Sequence, residues 1–174
     1  MNGAIRHFIS GDDTNLIAAI DAVCGEGRWM STQRYEPKPA WTHALVQSDC
    51  LRHSLRVIEV GQTIVGWCRL FPIKPCNGFQ PEASLGIGLL QPYRDMGIGT
   101  VFVRQSLQWA LSAGLQKVTL SARADNARAI HVFEKCGFRP TGCMPGGLLK
   151  MECELCSPWR AMAAQGEAYC DNQA

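Results

Sequence analysis

The fold of this chain depends most on one stretch, Gln91-Pro92-Tyr93-Arg94-Asp95-Met96-Gly97-Ile98-Gly99-Thr100. An apolar run typical of a strand, residues 85–90, precedes it, and an amphipathic run typical of a helix, residues 101–113, follows it. Glycines at such a junction let backbone N–H groups approach a ligand, and the helix start adds unpaired N–H donors and a positive dipole end. The stretch therefore predicts a site for a phosphate or pyrophosphate, or else a tight turn that needs its glycines only for geometry.

Strand-like and helix-like runs continue along the rest of the chain. Strands are predicted at 4–9, 56–60, 63–71, 83–90, 117–122, 138–143 and 148–155, and helices at 16–23, 40–47, 101–113 and from a cap at Asp125 or Asn126 up to Gly137. The order strand, helix, strand, helix, strand across 85–143 predicts a parallel β–α–β core. Hairpins on either side of that core make the predicted sheet mixed.

Length and composition indicate an ordinary globular protein. With 174 residues, 47% of them hydrophobic and 18% charged, the chain suits one domain, predicted over 1–156 and followed by a poorly patterned tail, 157–174. The net charge of +2 gives no electrostatic reason to expect nucleic acid or an anionic membrane as a partner. No apolar run approaches the roughly 18 residues of a membrane span, and the N-terminus lacks a signal-peptide core, so we expect a cytoplasmic protein.

The nine cysteines are scattered and odd in number. Without a secretion signal they are expected to be reduced and to behave as small buried hydrophobes. Cys153 and Cys156 have the spacing of metal ligands, but no second pair or nearby histidine completes a tetrahedral site. We therefore predict no metal.

Two well-known phosphate-binding fingerprints do not fit the glycine stretch. A P-loop needs Gly-Lys-Ser/Thr, whereas Gly99 is followed directly by Thr100. A dinucleotide site of the Rossmann type needs a third small residue, where this chain has Phe102, and a carboxylate about twenty residues later, which residues 117–120 lack.

What remains, Arg94-x-x-Gly97-x-Gly99 between a strand and a helix, resembles the coenzyme A pyrophosphate motif of the GNAT superfamily of N-acetyltransferases. A second segment, Asn126-Ala127-Arg128-Ala129-Ile130-His131-Val132-Phe133-Glu134-Lys135-Cys136-Gly137-Phe138, is similar to the family's Asn-x-x-Ala-x-x-x-Tyr-x-x-x-Gly-Phe helix. The resemblance covers about residues 56–143 clearly and 1–55 more weakly. It implies a mostly antiparallel twisted sheet with a central parallel β–α–β unit, the GNAT-like acyl-CoA N-acyltransferase fold.

The resemblance also implies that acetyl-CoA is the co-substrate. The glycine motif would wrap its pyrophosphate, and the backbone near Leu89 and Leu90 would bind the pantetheine and acetyl groups. Asn126 and Phe133 are seven residues apart and so share a helix face, which in the family meets the coenzyme A arm. The implied coenzyme A contacts are Leu89, Leu90, Arg94, Asp95, Met96, Gly97, Ile98, Gly99, Thr100, Asn126 and Phe133.

Two further glycines, Gly86 and Gly88, lie inside the predicted strand 83–90. A glycine within a strand indicates a bulge or a close approach of the backbone to another group. In the family the fourth strand is bulged, and it offers open backbone N–H groups beside the acetyl group. The resemblance therefore implies a bulge at this strand.

The sequence departs from the family pattern where protons would move. The family commonly has Tyr at the position of Phe133, and Phe cannot protonate the departing thiolate. A thiol with a pKa of about 8.5 costs only about 2 kcal/mol to leave as thiolate at pH 7, so water could supply that proton. An amine with a pKa of about 10.4 costs about 4–5 kcal/mol to deprotonate, so the base is the step that the protein should assist.

Many relatives place this base, a Glu, on the fourth strand, where the chain has Ser84. Glu82 lies two residues earlier on the same strand face and is the predicted base, with a solvated loop carboxylate as the alternative. Glu59 and His43 are weaker candidates. His131 falls on the polar side of its helix and is expected to be exposed.

The leading interpretation is an N-acetyltransferase that moves an acetyl group from acetyl-CoA directly to an amine of a small molecule or peptide in a ternary complex. The alternative is a catalytically silent coenzyme A-binding module that serves as a sensor or interaction domain. We expect acceptor identity to reside in residues 25–55 and 72–81. There, Trp29, Tyr35 and Trp41 could line a pocket, although a core role is favoured for them. A sheet edge near the C-terminus could support a homodimer.

Overall fold

The computed structural model describes residues 3–30, 32–47, 53–73 and 82–155. Its strands are β1 (Gly3–His7), β2 (Ser54–Val60), β3 (Thr63–Ile73), β4 (Glu82–Leu89), β5 (Lys117–Arg123), β6 (Arg139–Met144) and β7 (Leu148–Glu154). Its helices are α1 (Asp13–Gly25), α2 (Pro39–Val46), α3 (Ile98–Ser112) and α4 (Ala127–Lys135), with a short 3-10 turn at Gln91–Tyr93. Each element predicted from the pattern is present. The predicted tail, 157–174, and most of the predicted loop 72–81 lie outside the described residues.

The seven strands form one sheet in the order β1-β2-β3-β4-β5-β7-β6. Only β4 and β5 are parallel neighbours, and α3 connects them as the predicted crossover. All other neighbouring pairs are antiparallel, as the fold class predicted. The second strand–helix–strand unit differs from expectation, because β7 folds back between β5 and β6 and separates them.

Apolar side chains cover both faces of the sheet. On the face that carries α3 and α4, Phe102, Leu107 and Val118 are completely buried. On the face that carries α1 and α2, Leu16 and Val57 are completely buried in a second cluster. The sheet is therefore sandwiched between two helical layers, and a break in the strand pairing gives a ligand access to strand backbone groups.

Such a break lies between β4 and β5. The two strands pair only from Glu82, opposite Lys117, to Ser84, opposite Thr119. Beyond that point β4 stays paired with β3 as far as Leu89, and β5 stays paired with β7 as far as Arg123. The edge of β4 that faces β5 is thus open over residues 85–89.

Backbone groups of β4 point into this opening. Leu90 donates its N–H to the carbonyl oxygen of Val65 at 2.9 Å, so the backbone groups of residue 90 face β3. Since successive residues of an antiparallel strand present their N–H and C=O groups to opposite sides, those of Ile87 and Leu89 face away from β3. The gap between the strands therefore offers backbone donors and acceptors to a ligand.

The two strand glycines are explained by close approach, and the pairing of β4 with β3 continues across them without the bulge expected from the resemblance. A Cβ atom on Gly88 would overlap the indole ring of Trp67. A Cβ atom on Gly86 would lie 2.8 Å from Nε of Arg69 and 3.0 Å from its Cζ. Side chains of β3 therefore lie directly across the backbone of β4.

No helix in the described part of the chain is long and apolar enough to cross a membrane. The described cysteines are Cys24, Cys68, Cys136 and Cys153, which are buried, and Cys143, which is exposed. Cys156 of the metal-ligand pair considered above lies outside the described residues.

Candidate active site

A cleft of about 530 Å³ passes through the gap between β4 and β5. On the α3 side, it is lined by residues of α4 and of the segment 94–100, which is called the glycine turn. On the α1 side, it is lined by aromatic residues that precede or belong to α2 and by side chains of β3. The α3 side is the donor half of the cleft, and the α1 side is the acceptor half.

The glycine turn forms the floor of the donor half. Gly97 is the N-cap of α3 and has a left-handed conformation (φ 77°), which a residue with a Cβ adopts at a cost. Gly99 is different, because a Cβ at this position would make only ordinary contacts, 3.8 Å from the side chains of Leu89 and Val132. Nothing in the protein itself therefore requires a glycine at 99, whereas a ligand resting on the start of α3 would.

Most of the predicted coenzyme A contacts line this cleft. They are Leu89, Arg94, Asp95, Gly97, Gly99, Thr100, Asn126 and Phe133. Three others do not line it. Leu90 uses its N–H within the sheet, Met96 is about half exposed, and Ile98 packs against the α3-side core.

The side chain of Arg94 joins the two halves of the cleft. Its Nε donates to the carbonyl oxygen of Leu89 at 2.8 Å, and its terminal nitrogens bind both carboxylate oxygens of Glu26, one of them at 2.9 Å. Glu26 immediately follows α1. The guanidinium therefore holds the end of β4 against the end of α1, with a hydrogen bond from each of its three nitrogens.

The start of α4 borders the donor half. Asn126 caps the helix by accepting the N–H of Ala129 at 3.2 Å. Arg128, which the sequence reasoning missed, lines the cleft and donates to Asp95 at 2.8 Å. It carries no signal in the sequence beyond its place in the first turn of a helix. The contact joins α4 to the glycine turn.

Phe133 is buried and stands edge-on to Phe138, with ring centroids 5.9 Å apart. It contributes an apolar surface to the cleft and has no hydroxyl group. The hydroxyl group that the family's tyrosine would supply is therefore missing at position 133.

Aromatic side chains form the acceptor half. Trp29, Tyr35, Trp41 and Trp67 line the cleft, and Tyr35 and Trp41 meet edge-on with centroids 5.8 Å apart. Tyr35 and Trp41 also pack against the α1-side core, so core and pocket are not alternatives for them. Burial raises the pKa of the Tyr35 hydroxyl, which is therefore neutral and no base at pH 7.

Arg69 was also missed by the sequence reasoning. It lines the acceptor half from β3, and its guanidinium carbon lies 4.8 Å from the ring centroid of Phe71 and 5.7 Å from that of Trp41. Such distances are typical of cation–π contacts.

The predicted base, Glu82, begins β4 and is bound by Nζ of Lys117 at 2.9 Å. This hydrogen bond raises the pKa of the Lys117 ammonium group, so that group stays protonated at neutral pH. Glu82 is not among the described residues that line the cleft, although Ser84 is. The described carboxylates that do line it are those of Glu36 and Asp95.

The two weaker base candidates are also engaged elsewhere. Glu59 accepts from Nε of Arg6 at 2.7 Å. His43 stacks against His53 with ring centroids 4.5 Å apart, and its buried Nε2 has no hydrogen-bond partner. Neither residue lines the cleft. His131 is exposed, as expected.

Comparison with solved structures identifies the fold. An acetyltransferase of the GNAT family from Streptococcus pneumoniae superposes with a TM-score of 0.77 at 18% identity, over 88% of this chain and 99% of that one. The protein yncA of Salmonella typhimurium, solved with acetyl-CoA, superposes with a TM-score of 0.76 at 16% identity, over 90% of this chain and 96% of that one. At these identities the likeness concerns the fold alone.

Sequence comparison adds a curated relative and a family profile. The mycothiol acetyltransferase of Corynebacterium glutamicum is 28% identical over 131 residues, 70% of this chain. The match spans only 44% of that relative's length. The profile of the Acetyltransferase (GNAT) family matches residues 18–138, which include the β4–β5 gap, the glycine turn and α4. The chain therefore belongs to the GNAT acetyltransferase family, whose members use acetyl-CoA as the co-substrate.

Proposed function

We propose that the chain transfers an acetyl group from acetyl-CoA to an amine by direct attack, with both substrates bound together. One observation carries this proposal most strongly: the donor half and the acceptor half meet at a single gap in the sheet. An amine bound on the aromatic side and a thioester bound along the open edge of β4 would come within reach of each other. Direct transfer needs no covalent intermediate on the protein.

The donor half fits acetyl-CoA in three respects. The start of α3 offers N–H donors and a positive dipole end to a pyrophosphate. The open edge of β4 offers the N–H groups of Ile87 and Leu89, which suit the amides of the pantetheine arm and the thioester carbonyl. The missing Cβ at Gly99 leaves room for the ligand over the first turn of the helix.

The reaction needs a proton removed from the amine and a bond broken at the thioester. The neutral amine nitrogen attacks the carbonyl carbon, and the carbonyl oxygen gains the negative charge. The carbonyl bond then re-forms as the C–S bond breaks to release the thiolate, and the nitrogen gives up its extra proton to water to leave a neutral amide. Backbone N–H groups on the edge of β4 are suited to stabilise that oxygen. Because the thiol has a pKa of about 8.5, release of the thiolate costs only about 2 kcal/mol at pH 7. Phe133 is therefore compatible with turnover.

Deprotonation of the amine is the more costly step, and we keep Glu82 as the proposed general base against one rival. The rival is Glu36, which lines the cleft and is 3.5 Å from the ammonium group of Lys38. If Glu82 is the base, Glu82→Gln should lower kcat/KM by about 10²–10⁴-fold, most of all at neutral pH, while Glu36→Gln should have little effect. An unchanged pH–rate profile in Glu82→Gln would remove Glu82 from the mechanism. The measurement is kcat/KM between pH 6 and 10, beside the melting temperature, because the substitution also breaks the ion pair with Lys117.

The second candidate function is a coenzyme A-binding module without catalysis. Two observations favour it, the missing hydroxyl at Phe133 and the position of Glu82 outside the cleft-lining residues. Thiol release from acetyl-CoA in the presence of a panel of amines separates the two functions. Tight coenzyme A binding with no amine-dependent thiol release would establish the silent module.

The domain boundary at residue 156, the cytoplasmic location and the homodimer stay predictions.

A further inference from the structure

Five cationic side chains among the described residues line the cleft, and four of them have carboxylate partners. The four pairs are Lys38 with Glu36 (3.5 Å), Arg94 with Glu26 (2.9 Å), Arg123 with Asp125 (3.0 Å) and Arg128 with Asp95 (2.8 Å). The fifth, Arg69, forms no hydrogen bond or ion pair within the described ranges. Its positive charge is the exception in the cleft.

The surroundings of Arg69 are apolar. Its guanidinium lies against the rings of Phe71 and Trp41 and across the backbone of Gly86. Burial lowers the pKa of the guanidinium, yet an arginine side chain stays protonated in proteins. Arg69 is half-buried, and a charge that loses part of its hydration without gaining a partner is costly. An anion that entered the acceptor half would compensate for that cost.

The neighbouring thiol does not supply such an anion. Burial raises the pKa of Cys68 to about 12, so the thiol is neutral at physiological pH. Cys68 is also buried in the α3-side core, where Ser106 donates to its sulfur at 3.2 Å. Adjacent residues of a strand point to opposite faces of the sheet, so its side chain lies on the face away from Arg69.

We propose that the acceptor carries a carboxylate beside its amine and that Arg69 binds this carboxylate. The inference rests on the proposed function, because it names the class of amine that the same cleft takes. One guanidinium matches the single charge and planar shape of one carboxylate, whereas it would leave about half of the charge of a phosphate dianion unneutralised. Gly86 lies three residues from Leu89, about 10 Å along an extended strand. A small amino acid spans such a site, with its amine toward the thioester and its side chain among the aromatic rings.

Ligand binding tests this inference separately from catalysis. The wild-type protein, saturated with coenzyme A to prevent turnover, is titrated with the apolar L-amino acids, their carboxamides and the corresponding decarboxylated amines. The readouts are tryptophan fluorescence and calorimetry, since Trp41 lies beside the guanidinium. At least one amino acid should bind about 10- to 100-fold more tightly than its carboxamide, the usual advantage of a hydrogen bond to a charged group.

Three variants show whether Arg69 is the cause. In Arg69→Met the preference for the acid over the carboxamide should disappear, while the affinity for coenzyme A stays unchanged. Arg69→Lys keeps the charge and should keep part of the preference. Arg139→Met, which removes an exposed arginine from β6, is the matched control and should keep all of it. In turnover, Arg69→Met should raise KM for the amino acid and remove the difference in kcat/KM between the amino acid and its decarboxylated amine.

Three outcomes would overturn the inference. In the first, no amino acid binds the wild-type protein better than its carboxamide. In the second, the preference survives in Arg69→Met. In the third, phosphoethanolamine binds more tightly than every amino acid and depends on Arg69, which would make the anion a phosphate. Failure of the proposed function has a different signature, because acetyl-CoA would then either not bind or release no thiol with any amine of the panel.

Discussion

Gly99→Ala should stabilise the protein and weaken its binding of acetyl-CoA at the same time. Gly99 is the second residue of α3 and has an ordinary helical conformation. An added Cβ would contact only the side chains of Leu89 and Val132, both at 3.8 Å, so it would fit without displacing any atom of the protein. The same methyl group would project into the cleft where we place the pyrophosphate.

The two effects have different magnitudes. Replacing a helical glycine by alanine stabilises by about 0.5–1 kcal/mol, and the lower value applies near a helix end. For a chain of this size that corresponds to a rise of roughly 1–2 °C in the melting temperature. Losing one backbone hydrogen bond to a charged phosphate oxygen should cost about 1.5–3 kcal/mol, which is roughly a 10- to 100-fold higher Kd for acetyl-CoA.

Thermal unfolding without ligand and calorimetric titration with acetyl-CoA measure both effects on the same sample. Gly25→Ala is the matched control, because Gly25 ends α1, an added Cβ there would meet nothing within 4 Å, and the residue does not line the cleft. This control should gain stability and keep its affinity. If Gly99→Ala binds acetyl-CoA as tightly as the wild type, the pyrophosphate does not rest on the start of α3 and the placement of the donor is refuted.

Two more predictions concern stability. Asn126→Ala should lower the free energy of unfolding by about 1 kcal/mol, because the side chain no longer caps the N–H of Ala129, and it should weaken acetyl-CoA binding. Asn126→Asp keeps the cap and should retain the wild-type stability in thermal unfolding. Arg6 holds the pKa of Asp12 below its usual range, so this pair stabilises the fold above about pH 4 and the contribution is lost as the pH falls through the lowered pKa. Asp12→Asn should therefore cost about 1–3 kcal/mol at pH 7 and progressively less below pH 4 in urea unfolding; a constant difference down to pH 2 would contradict this account.

Local patterns were sufficient to predict the helices and strands and the strand–glycine–helix junction at residues 91–100. The cap at Asn126 and the glycines at 97 and 99 act through neighbouring residues, so their consequences are visible within a short window of sequence. The position of β7 between β5 and β6 was not predictable in this way. A hairpin can dock through either of its strands, and the choice depends on packing against a distant strand.

The charge pairs could not be predicted from the sequence, because they too depend on contacts between distant parts of the chain. Glu82 meets Lys117 because the two residues are register partners in parallel strands, 35 positions apart in the chain. Among the residues that the structure describes, Arg69 is the cleft cation without a carboxylate partner, and this cannot be known before the carboxylates are placed. Net charge, the quantity that the sequence does provide, is +2 and does not show which cation in the described part of the cleft lacks a carboxylate.

The packing of β3 side chains across the glycines of β4 restricts how this protein can vary. Any side chain at position 88 would displace the ring of Trp67, and any side chain at position 86 would displace the guanidinium of Arg69. Related chains should therefore change these positions in pairs, 86 together with 69 and 88 together with 67. Because β4 also carries the open edge on which we place the donor, a substitution of Arg69 can be accompanied by a larger residue at 86 without disturbing the strand proposed to bind the thioester.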